Sequence, residues 1–186
     1  MEHDSLQQAI YEQVEIVPYD PAWPQRFEAE RSRLIVLLPE LTDVEHFGST
    51  AVPGLCAKPV IDILAIVASM DAADRLLPKL CENGYVASPE FNATLPNRRW
   101  LMRYAAGRRT HHLHLVLPNS CQWNQSLRFR DMLRRDPKLA DEYAELKRAL
   151  AKSHPADREA YTSAKGDFIR RAQSRDDRHL NKGIDL

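Results

Sequence analysis

No stretch of this sequence is long and apolar enough to cross a bilayer. The longest apolar run, Val60 to Ala68, is broken by Asp62 and falls far below the roughly 20 residues a spanning helix needs. Cysteine is scarce. Cys56, Cys81 and Cys121 stand far apart and form no CxxC pair, so neither a zinc-finger site nor a disulfide framework is expected, and reduced thiols are. Net charge is absent: 26 Lys and Arg balance 26 Asp and Glu. The chain as a whole therefore has no pull on nucleic acid or an anionic membrane, and any anion site must be local. No RNA-binding motif appears, which argues against nucleic acid as a partner. The opening residues, MEHDSLQQAIYEQ, carry acids and no apolar block, so no signal peptide and a cytoplasmic protein are expected. Repeats and low-complexity stretches are missing too.

What is present is ordinary globular material. Apolar residues make up 44% and charged residues 28% of 186 positions, enough for one domain with a helical extension. Val14 to Val17 reads as a strand, ended by the turn-like Pro18-Tyr19-Asp20-Pro21. Trp23, Phe27, Leu34 and Leu38 recur at helical spacing until Pro39. Val44 to Phe47 is a short strand running into Gly48-Ser49-Thr50. Val60 to Val67 is a continuous apolar strand, expected to be covered on both faces. Asp71 to Glu82 is a helix capped by Ser69 or Asp71 and ended at Asn83-Gly84. Tyr85 to Ala87 is another strand, and Ser88 to Asn97 reads as a loop. Arg99 to Ala106 and His111 to Leu117 read as paired strands around a turn at Gly107 to Thr110.

Beyond Gln122 the pattern is helical. Leu139, Tyr143, Leu146 and Leu150 mark one helix face, and Tyr161, Phe168 and Ala172 another. Asp136-Pro137 and His154-Pro155 separate the helices. The expected organisation is an N-terminal arm or short helix (1–13), an α/β core (14–120), C-terminal helices packed on the core (121–176) and a tail (177–186).

Three constellations could carry chemistry. In the first, a strand runs into Gly48-Ser49, where backbone amides and the Ser49 hydroxyl can hold a phosphate. Asp62 sits within the following apolar strand, where a carboxylate is costly unless paired or metal-bound. Together they would set a phosphate cradle beside a metal-binding carboxylate, as phosphoryl and nucleotidyl transfer require. Turns and structural strand aspartates also give this pattern. In the second, His112 and His114 share one strand face about 6–7 Å apart, able to bind a transition metal or donate to phosphate. A half-exposed strand with histidines on its polar side is the plainer alternative. In the third, Arg99, Leu101 and Arg103 share a face, and two guanidiniums there could clamp a triphosphate. Lys147 and Lys165 could project toward the same place, though helical spacing alone does not require it.

The string from His46-Phe47-Gly48-Ser49-Thr50 through Pro53-Gly54-Leu55, then Lys58-Pro59 and Asp62, closely resembles the GrpB family. Tyr19-Asp20-Pro21-Ala22-Trp23, His112-Leu113-His114-Leu115-Val116 and Phe129-Arg130-Asp131-Met132-Leu133-Arg134 extend the resemblance from about Val14 to about Arg171. The resemblance implies the nucleotidyltransferase superfamily with its DNA polymerase β-like fold: an α/β (α+β) mixed sheet core with a C-terminal helical extension. It implies transfer of a nucleoside monophosphate from a nucleoside triphosphate to an acceptor that the sequence does not name, with two divalent ions, usually Mg²⁺. Gly48, Ser49 and Thr50 would then hold the triphosphate, Lys58, Arg99 and Arg103 would neutralise it, and Asp62 would be the catalytic carboxylate and first metal ligand. The superfamily expects Asp-x-Asp or Asp-x-Glu, and the second position here is Leu64. Asp62 with His112 and His114 would suit a single Mn²⁺ or Zn²⁺ better than two Mg²⁺ ions. A non-catalytic nucleotide- or phospholigand-binding module and a one-metal hydrolase are therefore the alternatives to a transferase.

Overall fold

A computed structural model gives the architecture. It describes residues 8–9, 11–153 and 158–182, and within the last helix the side chains of 163–176. Most of the expected N-terminal arm, the His154-Pro155 junction and the last four residues lie outside the described residues.

Helix α1, Trp23–Leu37, is followed by strand β1, Val44–Phe47, and a single 3-10 turn, Ser49–Ala51. Strand β2, Ile61–Ile66, leads to helix α2, Met70–Glu82, whose N-cap Ser69 accepts a hydrogen bond from the Ala72 amide. Strand β3, Tyr85–Ala87, comes next. The stretch expected as a loop holds the short helix α3, Pro89–Ala93, because Ser88 caps it and proline fits its first turn. Strands β4, Arg98–Ala105, and β5, Arg108–Val116, form a hairpin tighter than the sequence suggests. Ala106 and Gly107 both take positive φ, so the turn needs only those two residues. Helices α4, Cys121–Arg135, α5, Pro137–Ser153, and α6, Arg158–Lys182, complete the chain, the last running into the segment expected to be a tail. Val14 to Val17 makes no strand. Only Val17 bridges, to Ala57.

The sheet runs β1-β2-β5-β4-β3. β2 and β5 are parallel, and the other pairs are antiparallel. Alternation then sorts side chains between two faces. One face carries Ile61, Ile63, Ala65, Leu101, Leu113 and Leu115, buried against Trp23, Phe27 and Leu34 of α1 and Ala73, Leu76 and Leu80 of α2. The second apolar cluster joins Phe129, Met132 and Leu133 of α4 to Tyr143 and Ala144 of α5 and Ala172 of α6, around Val52, Leu55 and Cys56. The C-terminal helices thus close over the segment that follows the 3-10 turn. Arg134 fastens α4 there by donating twice to the Ala51 carbonyl, at 3.0 and 2.8 Å. Arg130 donates to Glu45 at 2.7 Å and to the His46 carbonyl at 2.9 Å. The three cysteines are free thiols, and no helix among the described residues is long and apolar enough to cross a membrane.

Candidate functional site

The pairing register builds the site. Phe47 lies opposite Asp62, Asp62 beside His112 and Leu64 beside His114. Across the β4–β5 ladder, Trp100 pairs with His114 and Arg98 with Val116. These side chains share the sheet face that the first core does not use. A cavity of about 710 Å³ opens above them, also lined by Gly48, Ser49, Lys58, Arg130, Lys147 and Lys165. That volume suits a ligand of nucleotide size.

Gly48 is where the chain must leave β1 hard against Asp62. Its φ of 73° and ψ of −170° fall in a region reserved for glycine. A Cβ there would lie 2.5 Å from Asp62 Oδ2, closer than any real contact. Asp62 Oδ1 accepts a hydrogen bond from His112 Nδ1 at 3.0 Å. Burial pushes the Asp62 carboxyl up, but the His112 bond and nearby positive charge, Lys165 included, outweigh it and hold the group below its ordinary value. Burial dominates for His112 and lowers it. It lowers His114 to about 3. Asp62 is therefore ionised and His112 neutral, with its proton on Nδ1. His112 Nε2 and His114 Nδ1 are buried and have no hydrogen-bond partner among the described residues.

Ser49 opens the 3-10 turn, and Lys147 of α5 reaches it. The Lys147 side chain is only 2% exposed, with Nζ 3.0 Å from Ser49 Oγ. It also donates to the Cys56 carbonyl and sits 4.8 Å from the Tyr143 ring centre. Burial, the largest cause, pulls its pKa down to about 7, and the positive charges of Lys165 and Arg148 add to it. Lys165 of α6 is lowered by burial as well, with Asp62 acting against it. The signal for both lysines is in the sequence. Lys147 stands four residues after Tyr143, and Lys165 three before Phe168 and seven before Ala172, inside the apolar stripes of their helices. A lysine in such a stripe faces the interior: Lys147 is buried and Lys165 half-buried at the cavity.

Gly48, Ser49, Asp62, Lys58, His112 and His114 all line the cavity. Thr50 also borders it, but its hydroxyl locks the turn. It donates to the Val60 carbonyl at 3.3 Å and accepts from His46 Nε2 at 3.0 Å. Arg99 and Arg103 are not brought there. They share the face of Leu101, where Arg99 pairs with Asp74 at 2.6 Å and Arg103 with Glu30 at 2.5 Å. Arg98 and Trp100, one residue out of phase, face the cavity instead. Leu101 pairs with Leu113, and that apolar pair assigns the two arginines beside it to the first core's side.

The expected metal set fares differently from the phosphate cradle. Among the described residues no three His, Cys, Asp or Glu side chains converge as a metal cluster. Leu64, at the place of a second carboxylate, is wholly buried, and one oxygen of Asp62 is already taken by His112. This donor set does not fit a pair of Mg²⁺ ions, which need several oxygen ligands, and it does not bring Asp62, His112 and His114 to one ion.

Known proteins share this framework. A UPF0157 protein of Pseudomonas aeruginosa is 44% identical over 172 residues, covering 88% of this chain and 68% of that protein. The crystal structure of conserved protein GrpB from Enterococcus faecalis superposes with a TM-score of 0.71 at 34% identity, over 86% of this chain and 99% of that one. The Cid1 poly(U) polymerase bound to MgGTP matches in fold alone, with a TM-score of 0.51 at 18% identity, over 81% of this chain and 48% of that one. A family model described as GrpB protein matches residues 13–175. The chain belongs to the GrpB family, on a nucleotidyltransferase-like fold.

Proposed function

We propose that the cavity binds a nucleotide through its phosphates without a metal pair, using lysines built into the C-terminal helices as the counter-charge. The observation that carries this reading is the Ser49–Lys147 contact. A buried ammonium rests against the hydroxyl at the end of β1, and no carboxylate neutralises it among the described residues. A phosphate there gains a charge-assisted bond from Lys147, a hydroxyl from Ser49 and the nearby charge of Lys165. Trp100, with Phe91 edge-on at 5.5 Å, offers an aromatic surface to a base. In calorimetry of metal-stripped protein, ADP and ATP are expected to bind equally well with and without Mg²⁺, and Lys147→Gln to weaken both at least about tenfold. Binding that requires Mg²⁺ and disappears in Asp62→Asn would refute the reading.

A second reading has one observation of its own. Gly48 is pressed against Asp62, which sets phosphate cradle and carboxylate side by side as metal-dependent transfer of a nucleoside monophosphate to an acceptor would need. It predicts turnover of some nucleoside triphosphate with Mg²⁺ or Mn²⁺ that Asp62→Asn abolishes. Nucleotide consumption unchanged in that variant would end it. The one-metal hydrolase has no such support, since His114 does not join Asp62 and His112 in a cluster.

Lys147 also gives the binding a pH signature. Its pKa of about 7 in the free protein rises when a phosphate arrives, because an opposite charge favours the ammonium. Binding above that pH must take up a proton. Affinity is expected to fall between pH 7 and 9, where the phosphate is already fully ionised, by up to about tenfold per unit. Lys147→Gln removes the fall. The same depression has a stability consequence with its own sign. The folded protein holds fewer protons than the unfolded chain between about 7 and the ordinary lysine value, so this group adds stability as pH rises through that window. A wild-type affinity independent of pH from 6 to 9 would contradict a titrating Lys147 at the phosphate.

A further inference from the structure

The cavity contains a second cation that no acidic group balances among the described residues. Arg98 lies at the start of β4 and donates to Gln122 Oε1 at 3.0 Å. Gln122 in turn is held by donating to Ser126 Oγ at 2.8 Å. Burial alone accounts for the lowering of Arg98, and no carboxylate pairs with it among the described residues. Two other arginines around the cavity are neutralised in place: Arg130 by Glu45 and Asp131, Arg170 by Asp167. A guanidinium fixed on one edge, drawn partly out of water and left without an anion is poised for a ligand's acid group. Gln122 also belongs to the first turn of α4, whose dipole favours negative charge.

The sheet register tells how far this place is from the Ser49 end. Asp62 is beside His112, and Arg98 beside Val116. Two strand spacings of about 4.8 Å and four residues of about 3.3 Å put the Arg98 and Asp62 Cα atoms about 16 Å apart. Ser49 belongs to the Asp62 end, because it follows Gly48, whose missing Cβ would lie 2.5 Å from Asp62 Oδ2. One phosphate group cannot serve both cations. We infer that Arg98 and Gln122 form a second anion subsite, and that the ligand carries two acidic groups, a phosphoryl at Ser49–Lys147 and a phosphate or carboxylate at Arg98, joined by a spacer that crosses the Trp100 wall. This rests on the phosphate reading of the Ser49 end, but not on the ligand being a nucleotide.

The test uses simple probes on the full chain: alkanediol bisphosphates with spacers of four, eight and twelve carbons, each against the monophosphate of the same chain length. Calorimetry is expected to show that one of the two longer bisphosphates binds at least tenfold more tightly than its monophosphate. The four-carbon compound, of equal charge but too short, gains nothing. Arg98→Gln should abolish the gain while leaving monophosphate binding unchanged, Arg98→Lys should keep part of it, and Lys147→Gln should weaken every probe. Replacing one phosphate of the best bisphosphate by a carboxylate then tells which acid the Arg98 end prefers. Equal binding of bis- and monophosphates at all lengths, a gain that survives Arg98→Gln, or no binding of any probe would each overturn the inference. Failure of ADP to displace the best bisphosphate would refute the nucleotide reading while leaving the second subsite standing.

Discussion

Gly48→Ala is expected to destabilise the protein by about 1–3 kcal/mol from backbone strain alone and to weaken phosphate-ligand binding by more than tenfold. The strain arises because φ of 73° with ψ of −170° is open to glycine and almost nothing else. The binding loss has a separate origin. The new methyl would meet Asp62 Oδ2 at 2.5 Å and its Cβ at 3.2 Å. Neither partner can step aside freely, since Asp62 is tied to His112 and sits in the ladder between β1 and β5. The 3-10 turn must shift, carrying Ser49 away from Lys147. Gly54 supplies the control. It too has positive φ, 78°, but nothing lies within 4 Å of its missing Cβ. Gly54→Ala should show the strain in urea unfolding and leave ligand affinity near wild type. Equal affinities in the two variants would mean that the close approach of Gly48 to Asp62 does not position the phosphate end.

That close approach was legible because it is local. A strand, a Gly-Ser turn and an apolar strand interrupted by one aspartate are neighbours in sequence, and antiparallel pairing makes them neighbours in space. The His112–His114 face was legible for the same reason, since alternation along a strand needs no tertiary information. Which side of the sheet a face looks toward is a different matter. Both faces here are covered, one by α1 and α2 and the other by the cavity and the C-terminal helices, so polar residues on β4 occur on either side. Arg99 and Arg103 therefore satisfied the pattern of a phosphate clamp while belonging to the opposite layer. Lys147 and Lys165 arrive from helices about a hundred residues downstream of Ser49, and only their place in the apolar stripes betrays them. The hairpin turn is shorter than the sequence pattern implies because it is made by two successive positive-φ residues, the first an alanine, which composition does not mark.

On the layer away from the cavity, Glu30→Gln is expected to cost about 3 kcal/mol, at the lower end of the range for breaking a buried ion pair. Glu30 is 4% exposed. Its carboxylate receives Arg33 Nη1 at 2.8 Å, the Tyr85 hydroxyl at 2.7 Å and Arg103 Nη1 at 2.5 Å, joining α1 to β3 and β4. An amide of the same shape keeps part of the hydrogen bonding but cancels the charge, leaving two guanidiniums to face each other. The two arginine side chains are 31% and 32% exposed, so water relieves some of the repulsion, which is why the lower figure applies. For a chain of this length the loss corresponds to a fall in melting temperature of about 6–12 °C. Removing Arg103 as well should recover part of it, because the double variant leaves one guanidinium, that of Arg33, beside the neutral amide instead of two; a double-mutant cycle in urea measures that coupling. Ligand affinity should not change, since Glu30 and Arg103 lie on the sheet face away from the cavity. A Glu30→Gln protein as stable as wild type would show that the three donors hold α1 against the sheet without the charge. One that folds normally but binds phosphate ligands poorly would contradict the assignment of Arg103 to the structural layer.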